Sequence, residues 1–392
     1  MKKEVVLKPG KEKSLLKRHP WIFSGAIASL PSIENGEVLP ILSSSGQFLA
    51  KGYFHGQNSI SGRVLTFSDQ PIEEALSDAI DRAIAMRKSF FAGQETNCFR
   101  LINAEGDGLP GLIVDQYEKV LVVQINTCGM ELLKGQIIEM LVQKCRPQAI
   151  YEKSTSSARR QEGLVDFQGW VYSKHNTELV VQEHGALFQV SLEKGQKTGF
   201  FLDQREMRKK IGDLSQGKRV LNCFSYSGGF SIYALRAGAK HVTSVDCSAD
   251  ALKLTHKNTE LNQINPNTHE IIEADVFDFL RKTSDQYDLI ILDPPAFAKK
   301  RGDQNAACSG YKEINRLAFE LLKKSSFHLP LLLTCSCSHF IDEGLFQNVV
   351  FQASIDAGCD AQVLSKHIQS PDHPISLAHP EGGYLKSLLL KL

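Results

Sequence analysis

Residues 219–246 read RVLNCFSYSGGFSIYALRAGAKHVTSVD, and this stretch decides the fold. An apolar run, RVLNCF, ends at Asn222–Phe224. A loop of small residues, Ser225–Gly229, leads into an amphipathic helix that stops at Gly238, and a second apolar run, HVTSVD, follows at 241–246. Strand, glycine loop, helix and strand make the repeating unit of a parallel sheet. Glycine in such a loop lets backbone approach a ligand, and the helix N-terminus offers free N–H groups to an anion. Gly228 and Gly229 also admit a plainer reading as residues of a tight turn.

The same alternation continues toward the C-terminus. Candidate strands are HEIIEA (269–274), YDLIILD (287–293), PLLLTCS (330–336), AQVLSK (361–366) and YLKSLLLKL (384–392), with helices expected at 229–237, 248–262, 311–325 and 341–357. This pattern predicts a mostly parallel α/β sheet covered on both faces. Three carboxylates then fall at strand tips. Asp246 ends the second strand, where doubly wound folds hold a ribose diol. Asp275 follows the third, placed to meet an adenine amino group, and Asp293 opens the Asp293–Pro294–Pro295 turn after the fourth. Singly, each Asp is more often a helix cap or turn residue. Neither GxGxxG nor a GxxxxGK[ST] loop is present, so a pyrophosphate cofactor lacks its cradle. A ligand carrying a carboxylate, a ribose and an adenine fits better, namely S-adenosylmethionine held by Asn222, Phe224, Ser225, Gly228, Asp246, Asp275 and Asp293.

Upstream, residues 1–70 carry short alternating runs broken by Gly, Ser and Asn, predicting a small β-rich domain with a helix near Lys13–Phe23. Helical spacing takes over from Pro71 to Phe91. Residues 71–185 predict a central α+β domain, with strands in LPGLIVDQ, KVLVVQI and AIYEK and a helix over Glu131–Lys144. The methyl-donor-type domain occupies 186–392. In all, 392 residues at 42% hydrophobic and 23% charged exclude disordered and fibrous classes. Forty-five Lys and Arg against 44 Asp and Glu leave global charge silent about nucleic acid. No apolar run approaches a membrane span, and the charged N-terminus does not read as a signal peptide, so a cytoplasmic protein without a membrane partner is expected. Nine scattered cysteines without a CxxC pair predict reduced thiols and no metal site.

The segments NCFSYSGGF, SVDCSADAL, DPPAF, CSGYKEIN and TCSCS, in this order, resemble the RlmI-type 23S ribosomal RNA methyltransferases. KEKSLLKRHPWIFSGAI resembles that family's PUA domain, an RNA-binding β-barrel. EGDGLPGLIVDQY, KTGFFLDQR and the C-terminal Asp372–Lys386 region also match, so the resemblance covers nearly the whole chain. It implies a C-terminal Rossmann-like class I methyltransferase domain, S-adenosylmethionine as methyl donor, and 5-methylcytosine in 23S ribosomal RNA, free or in assembly intermediates, as product. A homodimer is compatible with the sequence. Two other readings stand beside this one: methylation of a different RNA base such as guanine N7, and a cofactor-binding ribosome-assembly factor with little turnover.

Carbon 5 of cytosine needs a nucleophile on carbon 6 before it accepts a methyl group, and an activated cysteine supplies one. Cys337 sits at the tip of the fifth strand, where α/β sheets place ligands. By spacing alone it is equally a small buried strand residue; the family's Ser-Cys-Ser pattern, here Ser336–Cys337–Ser338, implies the nucleophile. Cys335 departs from the family and is expected to face away from Cys337, so that its replacement by Ser is nearly harmless. Asp293 is expected to hold the cytosine edge, with Pro294 and Pro295 stiffening its backbone and Phe297 either stacking on the flipped base or filling the core. Ala296 replaces the family's usual Lys, with Lys299, Lys300 and Arg301 nearby. The resemblance places Gln204 and Arg205 near the methionine end of the cofactor. Residues 2–18 hold seven cations against Glu4 and Glu12, a local charge of +5. Lys13, Lys17 and Arg18 beside Trp21 and Phe23 predict phosphate contacts with stacking.

Overall fold

The computed structural model describes residues 3–93 and 95–392; Lys2, counted in the basic segment, lies outside them. The chain divides into two compact units. The first contains a six-stranded sheet and a five-stranded sheet. The six-stranded sheet runs Trp21–Phe23, Ile60–Thr66, Phe48–Phe54, Val38–Leu42, Val5–Leu7, Ile27–Ser29. Alternating burial along Val38–Leu42 marks one face as core, where Val5, Leu7, Ile22, Leu39, Ile41 and Phe54 pack together. The five-stranded sheet runs Phe167–Tyr172, Ala149–Ser154, Val120–Ile125, Leu112–Tyr117, Cys98–Asn103, and the helix Ile72–Phe91 packs on it through Leu76, Ile80 and Ala83.

Two expectations change here. The helix near Lys13–Phe23 covers only Lys13–Leu16. Arg18 adopts a left-handed φ of 66°, Pro20 cannot donate to a helix, and Trp21–Phe23 pairs as a strand with Ile60–Arg63. The first unit also includes residues 190–203 and 371–382, which sequence patterning assigned to the C-terminal domain. Buried charge explains this. Arg87 makes a bidentate pair with Asp107 at 2.6 and 2.8 Å and donates to the Asp372 carbonyl at 2.7 Å. The Arg100 N–H donates to the Asp372 carboxylate at 2.8 Å, and the Arg100 guanidinium pairs with Asp115. Thr198 donates to Asp115 at 2.5 Å. Hydrophobic periodicity carries no sign of such long-range polar closure.

The second unit is built on a seven-stranded sheet. Its strands are β1 (Arg219–Cys223), β2 (His241–Asp246), β3 (His269–Glu273), β4 (Leu289–Leu292), β5 (Leu331–Ser336), β6 (Gln362–His367) and β7 (Lys386–Lys391). Their order is β3-β2-β1-β4-β5-β7-β6. The first five are parallel, and β7 runs antiparallel between β5 and β6. β4 and β5 are buried at every position, as expected of strands covered on both faces. The helices are α1 (Arg205–Asp213), α2 (Gly229–Arg236), α3 (Ala249–Leu261), α4 (Val276–Lys282), α5 (Gln304–Leu322) and α6 (Glu343–Asp356). α5 starts seven residues before its expected position because the polar segment from Gln304 continues the same helix. Leu332, Leu388 and Leu390 meet Tyr311, Ile314 and Phe346 on one face of the sheet. Leu331, Leu333 and Leu389 meet Met207 and Ile211 on the other. No helix among the described residues is long and apolar enough to cross a membrane.

Candidate active site

The parallel strands end on one edge, where order reverses between β1 and β4, the place such sheets keep for ligands. The loop after β1 is shaped for backbone approach. Phe224, Tyr226 and Gly228 all have positive φ, at 57°, 47° and 77°. Two non-glycine residues in that region cost about 1–3 kcal/mol each, so the surroundings must impose it. Asp246 does so. Its Oδ2 accepts the Tyr226 N–H at 2.8 Å, and its Oδ1 accepts the Ser248 N–H at 2.9 Å. A Cβ on Gly228 would lie 2.7 Å from the Thr255 methyl, so only glycine fits between loop and α3.

These residues fit an adenosine cofactor. Asn222 donates to Ser231 Oγ at 2.8 Å, leaving its amide oxygen buried without a partner among the described residues; Ser225 Oγ and Ser227 Oγ are likewise buried without one among them. Buried polar atoms seldom stay unsatisfied, and such atoms beside a glycine loop suit a polar ligand. Asp275 is exposed and caps α4, its Oδ1 accepting the Asp278 N–H at 3.0 Å. That is the cap reading.

The tips of β4 and β5 form a second cluster. Gln204 donates to Asp293 Oδ1 at 3.1 Å. The Cys337 thiol faces the Pro294 carbonyl at 3.8 Å, so cysteine and Asp-Pro-Pro turn are neighbours. Ser336 Oγ donates to Tyr311 Oη at 3.0 Å, Tyr311 Oη also bonds Ser338 Oγ at 3.0 Å, and Ser338 Oγ accepts the Ala298 N–H. Cys337 is thus bracketed by two serines tied to one buried tyrosine. Pro294 is buried and Pro295 exposed. Phe297 is half-buried among Phe224, Phe277 and Tyr311, with the Tyr311 ring 4.7 Å away, which makes it part of the core wall. Tyr311 lies within a segment quoted for its resemblance, yet nothing in the sequence alone assigns it a role.

Cys335 does not face away. Cys335 is fully buried, with Gln204, Ser387 and the charges of Asp293 and Cys337 around it. Burial pushes its thiol well above the ordinary value. Cys337 lies beyond the end of β5, so strand alternation no longer sets its direction. Arg205 is fully buried, 3.6 Å from Glu183, which also takes a bidentate pair from Arg208 at 2.7 Å.

In the first unit, Lys13, Lys17 and Arg18 are exposed, and Arg18 lies over the Phe67 ring at 4.7 Å. Phe23 is half exposed, but Trp21 is engaged. Its indole N–H donates to Glu105 at 2.9 Å and its ring packs edge-on to His379 at 4.4 Å. A third group, His55, Cys128 and Glu162, places ligand-type atoms within 4.8 Å of one another. It is closed on itself: His55 Nδ1 accepts the Gln57 and Asn58 N–H groups, the Cys128 thiol donates to the Glu162 carbonyl, and the Glu162 carboxylate takes Arg63, Asn58 and the Cys128 N–H.

Residues 5–67 match the PUA-like domain family, and residues 166–343 match the S-adenosylmethionine-dependent methyltransferase family. The fold is that of a methyltransferase solved with S-adenosylhomocysteine, at TM-score 0.85 and 24% identity over both whole chains. Ribosomal RNA large subunit methyltransferase I of Aeromonas hydrophila is 41% identical over all of both chains, and that of Shewanella amazonensis 39% over 99% of both. A glycine loop latched by Asp246, a thiol against an Asp-Pro-Pro turn and this full-length likeness agree, and the chain belongs to the S-adenosylmethionine-dependent ribosomal RNA large subunit methyltransferase I family.

Proposed function

We propose that this protein methylates carbon 5 of a cytosine in 23S ribosomal RNA, with Cys337 as the covalent nucleophile. The observation that carries the reading is the Cys337 thiol 3.8 Å from the carbonyl of Pro294, the residue after Asp293. When bound, S-adenosylmethionine supplies an electrophilic methyl group on a sulfonium. The protein must make carbon 5 nucleophilic. The Cys337 thiolate forms a bond to carbon 6, and the C5–C6 π pair shifts toward carbon 5. Once carbon 5 has gained the methyl group, a base removes its proton. That pair rebuilds the double bond as the C6–S bond breaks, returning the thiolate. The net change is one C–H replaced by C–CH3 with one proton released.

Asp293, fixed by Gln204, holds the cytosine edge, and the two prolines keep its backbone from shifting. The target base leaves its stack to reach Cys337. The exposed Lys13, Lys17 and Arg18 hold phosphates. The test is incubation with ribosomal RNA from a strain lacking the enzyme and a labelled methyl donor, followed by mass spectrometry of nucleosides. 5-Methylcytosine is expected, and RNA carrying 5-fluorocytosine at the target should trap a covalent adduct, because fluorine cannot leave as a proton does. Label in a guanine derivative, or no adduct, would overturn the reading.

A further inference from the structure

A thiol near its ordinary pKa of about 8.5 is mostly protonated at neutral pH, so a cysteine nucleophile needs a cation or a base beside it. The Pro294 carbonyl facing Cys337 supplies the opposite, the negative end of a dipole. A cation lies on the antiparallel neighbour of β5. Lys386 pairs in register with Ser336, and its Nζ donates to the Ser338 carbonyl at 2.7 Å. The ammonium is therefore anchored to the residue after Cys337, half-buried at the start of β7. Tyr311 fixes the same turn from the opposite side through Ser336 and Ser338.

We infer that Lys386 is the positioning residue that activates Cys337, holding a positive charge beside its thiolate and fixing the turn that presents it. This rests on the reading of Cys337 as nucleophile. Lys386 is a cation in electrostatic contact with Cys337. Tyr311 on α5 and Cys335 on β5 both interact electrostatically with Cys337, and burial pushes both upward, so both are neutral near pH 7. Asp293 at the tip of β4 and Asp342 at the start of α6 carry the wrong sign. His339, two residues on, is exposed. Burial lowers the Lys386 pKa, while Cys337 and Asp342 pull it back up. The same attraction works in reverse on the thiol: a thiolate and an ammonium in one partly dry site favour each other's charged forms. Loss of the Cys337 proton to solvent then leaves a thiolate paired with the Lys386 ammonium, ready to add to carbon 6.

Alkylation of Cys337 by iodoacetamide between pH 6 and 10, read by mass spectrometry of its peptide in the full chain, tests this. Lys386→Gln keeps a donor for the Ser338 carbonyl but removes the charge. Its alkylation midpoint should rise by about one pH unit or more. Methylation at pH 7 should fall about tenfold and recover toward pH 9. Lys386→Arg should restore the low midpoint. Binding of S-adenosylhomocysteine, measured by calorimetry, should be unchanged in both variants. A Lys386→Gln midpoint equal to wild type overturns the inference, and so does an Arg variant that behaves like Gln. If Cys337→Ser methylates at the wild-type rate, the nucleophile reading fails by itself, while the alkylation profile still reports on Lys386.

Discussion

The two halves of the ligand edge are built differently. At the tips of β1, β2 and β3 the work is done by backbone and by residues close in sequence: Asp246 latches a loop 20 residues before it, and Asp275 caps its own helix. At the tips of β4, β5 and β7 the residues come from far apart. Gln204 reaches Asp293 across 89 positions, Pro294 meets Cys337 across 43, and Lys386 meets Ser338 across 48. Holding a cofactor needs donors at fixed spacing along one loop. Activating a base needs a thiol, a carboxylate and a cation to converge, and only the folded sheet brings them together.

That division predicts separable losses, and the largest lies in the acceptor half. Cys337→Ser keeps the shape of the turn but replaces a thiolate with a hydroxyl that stays protonated. Turnover should fall by at least about a thousandfold, about 4 kcal/mol of barrier, while affinity for S-adenosylhomocysteine stays at the wild-type value. Parallel single-turnover and calorimetric measurements check both. A matching fall in cofactor affinity would mean that the halves are one unit.

The next effect is on stability and probes the framework behind the cofactor half. His269 at the start of β3 is buried, with Ser244 Oγ 2.8 Å from Nε2 and Thr259 Oγ1 2.9 Å from Nδ1. Burial, with His256 and His241 adding positive charge, lowers its pKa to about 4. The unfolded chain keeps the ordinary value, about 6.5. As pH falls through 6.5 the unfolded state binds the proton first, so stability is full above pH 6.5 and is lost toward pH 4. The loss should be on the order of 3 kcal/mol. Denaturant titrations at pH 7 and pH 4.5 should show it, and His269→Gln should flatten the difference.

The geometry at the tips of β1 to β3 was legible in the sequence for the same reason that it is local. The glycine loop, the strand tips and their carboxylates could be read at their spacing, and β1 to β7 lie within a few residues of the expected runs. The φ values of Phe224 and Tyr226 could not be read, since neither residue favours the left-handed region; the Asp246 latch imposes it. In the acceptor half Cys337 and Asp293 stood out as residue types, but Tyr311 and Lys386 did not. A tyrosine at helical spacing and a lysine opening a strand look like core and surface until pairing places them. The transfer of residues 371–382 to the first unit was hidden likewise, because Asp372 is joined to Arg100 by a hydrogen bond across 272 positions.

A smaller loss is expected in the cofactor half. Asp246→Ala removes a charged acceptor and frees the Tyr226 N–H that holds the loop. Cofactor affinity should drop by about 1–3 kcal/mol, measured by calorimetry, with the rate of the chemical step at saturating cofactor close to wild type. Asp246→Asn, which keeps an oxygen for one of the two N–H groups, should lie between. A variant that binds normally but turns over slowly would place Asp246 in the acceptor half and erase the distinction drawn above.

The smallest expected effect lies outside both halves. Lys13, Lys17 and Arg18 are exposed in the first unit, next to the exposed Leu16 and Phe23. If they hold phosphates, each contact releases a counterion, and log affinity falls with log salt by about 0.7 per contact on single-stranded RNA. Reversing all three to Glu should therefore reduce the slope by about 2, weaken binding most at low salt, and leave cofactor affinity untouched. Reversing Lys299 and Lys300, exposed in the loop after the Asp-Pro-Pro turn, separates two sources of the slope. If that pair carries it and the N-terminal triple variant binds as wild type, RNA is held at the catalytic edge alone. A reduced slope in the N-terminal variant, with normal turnover at saturating RNA, assigns that segment to capture of the substrate rather than to either half of the chemistry.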